Sequence, residues 1–110
     1  MRSPPNIEAL QKNSLHVPSA ATAAIVTLAA VAGEIHVIDQ ITWSYSAAPT
    51  GGRLTVAINA VTVLDIDITS AGPGSIQFTR GLHGIDNQAV VVTLASGAGS
   101  VAGKVNVQHR

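Results

Sequence analysis

From residue 22 onward the chain is a succession of short runs rich in Thr, Val and Ile, each closed by a cluster of Gly, Pro, Asn or Ser. Branched side chains suit a pleated, half-buried surface, and the intervening clusters suit turns. The runs are 22–31, 34–45, 53–58, 62–69, 75–79, 88–95 and 103–108. Helical periodicity is weak throughout; only the alanine-rich run 22–31 is also compatible with a helix. Several strands at short spacing predict an all-β chain: a single β-sandwich or jelly-roll-like domain over 20–110, with an extended N-terminal arm over 1–19.

Two segments constrain the register. In 34–45, Ile35, Val37, Ile41, Trp43 and Tyr45 alternate onto one face, while His36, Gln40, Thr42 and Ser44 take the other. Asp39 interrupts the apolar face and Ile38 the polar one, which predicts a bulge or strand switch at 38–40. In the next pair of runs, a three-residue loop at 59–61 sets Ile58 opposite Thr62, Val56 opposite Leu64 and Leu54 opposite Ile66. A two-residue loop would place Val56 opposite Val63 and Leu54 opposite Asp65, mixing core with charge. The favoured register also puts Arg53 opposite Asp67 on the outer face.

Lys plus Arg (6) and Asp plus Glu (6) cancel in 110 residues, and charged side chains are only 11%. A nucleic-acid surface needs a basic stripe, and there is none. A surface this neutral favours self-contact, which predicts a protein that shares its exterior with copies of itself or with a partner. The apolar stretch at 20–32 is interrupted by Thr22 and Thr27 and is too short to span a bilayer. Ala30-Val31-Ala32 has the small-residue pattern of a signal cleavage site, but the region before it is long and contains Glu8, so a signal peptide is not expected. Residues 1–19 mix Pro4, Pro5 and Pro18 with isolated apolar side chains. Of these, Ile7, Leu10, Leu15 and Val17 are the candidate contacts of a docked arm.

Candidate chemistry is sparse. Asp65 and Asp67 point the same way on a strand and, with Asp39, could supply oxygen ligands to calcium. A solvated face carrying an ion pair with Arg53 explains them more simply. His16, His36, His83 and His109 are scattered and lack metal-ligand spacing, and with no cysteine a mixed site is excluded. The run 96–104 ends in Gly103-Lys104 like a phosphate loop, but Val105 stands where Ser or Thr is required. No Gly-x-Ser-x-Gly elbow exists. The expectation is therefore a non-enzymatic protein with no cofactor and no metal. Trp43, Tyr45 and Phe78 are expected as core aromatics; an exposed Trp43 or Tyr45 would instead suit a carbohydrate-binding module.

Residues 20–110 resemble the small all-β virion proteins of tailed bacteriophages, in particular capsid decoration or cement proteins of jelly-roll-like fold. The resemblance lies in Ala-Ala-Thr-Ala-Ala-Ile-Val-Thr-Leu at 20–28, Ile-Thr-Trp-Ser-Tyr-Ser at 41–46 and Pro-Thr-Gly-Gly at 49–52. It continues in Asp-Ile-Thr-Ser-Ala-Gly-Pro-Gly at 67–74 and Val-Thr-Leu-Ala-Ser-Gly-Ala-Gly at 92–99. It implies a homotrimer on the outside of the virion that bridges neighbouring major capsid proteins, with no direct contact to nucleic acid or membrane. Tail and fibre proteins share the abundance of small residues, so a tail-associated structural role is the nearest alternative.

Overall fold

The computed structural model describes residues 12–110. Eight strands follow one another: β1 (Lys12–His16), β2 (Ala24–Leu28), β3 (Val37–Tyr45), β4 (Gly52–Ile58), β5 (Val61–Ile68), β6 (Gly72–His83), β7 (Val90–Leu94) and β8 (Gly103–His109). No helix occurs among the described residues. The strands form two antiparallel four-stranded sheets, ordered β1-β8-β3-β6 and β2-β7-β4-β5. The pairs β1/β8, β2/β7, β3/β6 and β4/β5 nest inside one another, as if one long hairpin had been folded and rolled. That nesting is the jelly-roll arrangement of a β-sandwich.

Alternation builds the core. Ala24, Val26 and Leu28 of β2, Leu54, Val56 and Ile58 of β4, Val90, Val92 and Leu94 of β7, and Val105 and Val107 of β8 are buried at every second position. A strand has a side-chain period of two, so these rows point into one space between the sheets. Within the run 22–31, Ala24–Leu28 is accordingly a strand, shorter than expected, with Ile25 and Thr27 turned to solvent.

The break expected at 38–40 is present: the ladders of β3 with both β6 and β8 shift between Ile38 and Gln40. Ile38 and Ile41 consequently both face the core, at 1% and 0% exposure. The shift also moves the inward position from Val37 to Ile38 and leaves Ile35 outside the strand at 50% exposure, correcting its expected place on the inner face. Opposite the break, Gln77 pairs with Gln40 and Leu82 with Ile38, so β6 accommodates extra residues between them. Gly81 lies in that stretch at φ +77, a conformation that an L side chain rarely adopts. Asp39, at the bulge, is held by Arg110, whose Nη2 donates to Oδ1 at 2.9 Å and whose Nε donates to Oδ2 at 3.0 Å.

The β4–β5 hairpin combines two of the expected features in an unexpected way. Val56 pairs with Leu64, Leu54 with Ile66 and Arg53 with Asp67, as the apolar pattern requires. Ile58, however, pairs with Val61 and not with Thr62, so the turn has two residues. Asn59 and Ala60 are both left-handed, at φ 50 and 63, the backbone signature of a type I′ turn. A shift between Val56 and Ala57 absorbs the odd residue at Val63. A tight turn matched to strand twist and a bulge beyond it thus deliver the same core register as a longer loop.

Part of the segment expected as an arm belongs to the sandwich. Lys12–His16 forms β1 on the outer edge of β8, with Lys12 opposite His109 and His16 opposite Val105. Neither face of β1 is buried, so no apolar alternation marks it in the sequence. Its side-chain ties are a 2.8 Å hydrogen bond shared by Ser14 Oγ and His109 Nε2, and the Ile25 amide donating to His16 Nδ1 at 2.9 Å. Leu15 and Val17 are 56% and 55% exposed, while Ile7 and Leu10 lie outside the described residues.

Candidate functional site

The two sheets approach each other along β1, β2, β7 and β8 and diverge towards β5 and β6. The inward positions on the divergent side are therefore incompletely covered. Leu64 and Ile66 of β5 and Ile76, Phe78 and Leu82 of β6 pack against the core yet remain partly exposed. Beside them, Val61 and Val63 on β5 are 63% and 48% exposed. An apolar seam consequently runs between the two free edge strands of this side.

One end of the seam is shaped by the aromatic residues of β3. Tyr45 is 2% exposed, and its hydroxyl donates to the Ala95 carbonyl at 2.6 Å, linking β3 of one sheet to the end of β7 in the other. Burial raises the pKa of this phenol above its ordinary value. Trp43, two residues earlier, faces the same way but is only half-buried. Its neighbour across the ladder is Gly74. A Cβ built on Gly74 would lie 2.6 Å from Trp43 Cζ2, so only glycine leaves room for the indole there. Phe78 is likewise half-buried. Of the three expected core aromatics, Tyr45 is fully interior, and Trp43 and Phe78 sit at the margin where the sheets part.

Trp43, Asp67, Thr69, Ser70, Pro73 and Gly74 line a cleft of about 270 Å³ at the β5–β6 turn. The state of Asp67 follows from its neighbours. Arg53 stands opposite it in the ladder but reaches diagonally to Asp65, donating from Nε to Oδ1 at 2.5 Å and from Nη2 to Oδ2. A diagonal of this kind is within reach of a long side chain. The forked guanidinium holds the Asp65 carboxyl below its usual pKa. Asp67, exposed on the same outer face, feels the Arg53 charge across the ladder without a hydrogen bond to it.

The other candidates do not converge. Asp39 is on the opposite sheet from Asp65 and Asp67, engaged with Arg110. Each histidine serves local structure. His36 Nε2 donates to the Ala29 carbonyl at 2.7 Å, His83 Nε2 to the Arg80 carbonyl at 3.1 Å, and His16 and His109 fasten β1. Among the described residues no group of three or more metal-ligating side chains forms. The run 96–104 connects β7 to β8 and precedes a strand; the Ala98 amide donates to Ser96 Oγ and the Val101 amide to the Ala98 carbonyl.

No protein-family model and no curated protein matches the chain. Among solved structures, the crystal structure of dimeric latent PorU from Porphyromonas gingivalis is similar at a TM-score of 0.43 and 14% identity. The similarity covers 89% of this chain and spans only 12% of that protein's length.

Proposed function

We propose that the chain is a non-enzymatic structural subunit that decorates and stabilises a bacteriophage capsid, working as a homotrimer on the outer surface and bridging neighbouring major capsid proteins. The observation that carries the assembly part of this reading is the apolar seam between β5 and β6. Edge strands expose unpaired backbone groups, and stable monomers blunt them with charge, short length or cover. Here β6 is twelve residues long and, apart from His83, its only ionisable side chain is Arg80. Partly covered Leu64, Ile66, Ile76, Phe78 and Leu82 stand beside these edges on a chain of zero formal charge. A second surface laid over the seam would complete the core and pair the edges together.

The virion setting comes from the resemblance of residues 20–110 to decoration proteins. The mechanism is cohesion: each copy buries apolar area at roughly 25 cal/mol per Å² before the cost of association is subtracted. One patch repeated about a threefold axis closes without a free end. Multi-angle light scattering of the purified chain tests the first step. A trimer is expected, and Val61→Lys with Val63→Lys, at positions already exposed, is expected to weaken it while leaving the circular dichroism spectrum unchanged. A wild-type monomer at high concentration refutes the reading. Electron microscopy of shells mixed with the chain then distinguishes capsid from tail attachment.

A further inference from the structure

We propose that β1 is an acid-released strap: protonation of His16 and His109 frees Lys12–His16 from β8 while the other seven strands stay folded. The inference concerns a single copy of the chain and stands independently of assembly.

β1 is turned the opposite way from its neighbours. Lys12, Ser14 and His16 stand opposite the buried His109, Val107 and Val105, so three polar residues take the inward face. Leu15 points outward, at 56% exposure. No residue of β1 belongs to the buried core. Its release would uncover little apolar surface, the property of segments that open locally well below the free energy of global unfolding. Besides the ladder to β8, two side-chain hydrogen bonds tie the inward face down. Each runs through an imidazole, the side chain that ordinarily changes charge between about pH 5 and 8.

The two imidazoles respond to acid for different reasons. A backbone amide can only donate, so the Ile25 amide at 2.9 Å needs an unprotonated His16 Nδ1. Protonation puts a hydrogen on that nitrogen and sets two donors against each other. β1 packs on β8 and β2. β2 has no ionisable residue, and Lys104 of β8 lies one place before Val105, turned to the outer face. No carboxylate on these strands compensates a charge on His16. His109 can bond Ser14 Oγ in either protonation state, so its sensitivity comes from its surroundings. It is buried, and Lys12 of β1 and His36 ahead of β3 both oppose a positive charge there. Asp39 of β3 favours that charge, but its carboxylate is already held by Arg110. Once His109 is charged, repulsion from Lys12 acts directly between β8 and β1. Release carries Lys12 away and opens His109 to water, which relieves both penalties.

Amide hydrogen exchange of the full chain, read by mass spectrometry as protection over the intrinsic rate at each pH, follows the strap strand by strand. A group that is neutral when docked and charged when free contributes up to about tenfold per pH unit. Between about pH 7.5 and 5, protection of residues 12–16 is therefore expected to fall about tenfold or more, with β4 and β7 unchanged. His16→Asn with His109→Gln keeps a hydrogen-bonding group at each position without a titratable one, and its β1 protection should not vary with pH. Asn13→Cys with Gln108→Cys gives a second check: the pair is exposed, its members face each other across the ladder, and the chain has no cysteine of its own. Oxidised, it should keep residues 12–16 protected in acid. The proposal is overturned if wild-type β1 keeps its protection in acid, or if β1 and the core strands lose theirs together. It is equally overturned if the histidine double variant or the oxidised cysteine pair loses β1 protection as wild type does.

Discussion

Tyr45→Phe isolates the side-chain hydrogen bond that a buried phenol makes from one sheet to the other. The phenol is 2% exposed and donates to the Ala95 carbonyl at 2.6 Å. Phenylalanine keeps the ring and its packing and removes only the hydroxyl, leaving the carbonyl to find water at a partly buried position. A net hydrogen bond is worth about 1 kcal/mol, and an acceptor left dry costs about 1–3 kcal/mol, so the expected loss is about 1–2 kcal/mol. For a domain of this size each kcal/mol lowers the thermal midpoint by roughly 4–8 °C. Urea unfolding followed by circular dichroism should show a lower midpoint with an unchanged slope, since the buried surface is the same. Tyr45→Ala adds the loss of the ring and should cost about 3–5 kcal/mol. A second readout separates the hydroxyl from general damage. Burial raises the folded pKa of Tyr45, so the unfolded chain ionises first and wild-type stability falls as pH rises above about 10; the phenylalanine variant should lack this residue's share of the fall. A Tyr45→Phe protein within about 0.5 kcal/mol of wild type, the span of an inconsequential surface change, would refute the assigned role of the contact.

Ala60 sits at φ 63 in the β4–β5 turn, so Ala60→Gly should stabilise the domain by about 1 kcal/mol, read as a higher urea midpoint. Gly74→Ala places a methyl group against Trp43; a loss of about 1–3 kcal/mol is expected, with a red-shifted tryptophan emission as the ring is pushed towards water. His109 is 7% exposed, and its pKa is held below the ordinary value by burial first, then by Lys12 and His36, with Asp39 opposing. The unfolded chain therefore takes up this proton first: the His109 contribution is intact above about pH 6.5 and is lost as pH falls through the lower folded value. Urea midpoints measured across this window should decline towards acid, and His109→Asn should flatten the decline.

Much of the sandwich was legible because a strand's side chains obey a strictly local rule. Leu54, Val56 and Ile58 against Leu64 and Ile66 admit one register that keeps charge out of the core, and the observed ladder adopts it. The break in β3 was equally visible, because Ile38 and Asp39 fall out of phase with Ile41, Trp43 and Tyr45. The turn was less legible. Asn59-Ala60 lacks the glycine that announces a type I′ turn, and the bulge at Val63 can be traded against loop length without changing the core.

β1 left no such trace. Lys12–His16 has neither face buried, and it is a strand because β8 offers a free edge at that place. Backbone amides and carbonyls are the same in every residue, so pairing with a distant edge carries no signature in residue type. The candidate cleft depended on the same kind of information. Trp43 has the alternation of a core residue, and it is half-exposed because the sheets diverge at β5 and β6. Arg53 stands opposite Asp67 by register, yet side-chain reach gives its hydrogen bonds to Asp65. The sequence determined which side chains share a face, since alternation acts between residues two apart. Which edges meet, and how far the layers separate, was decided by contacts between residues tens of positions apart, and those decide what reaches the surface.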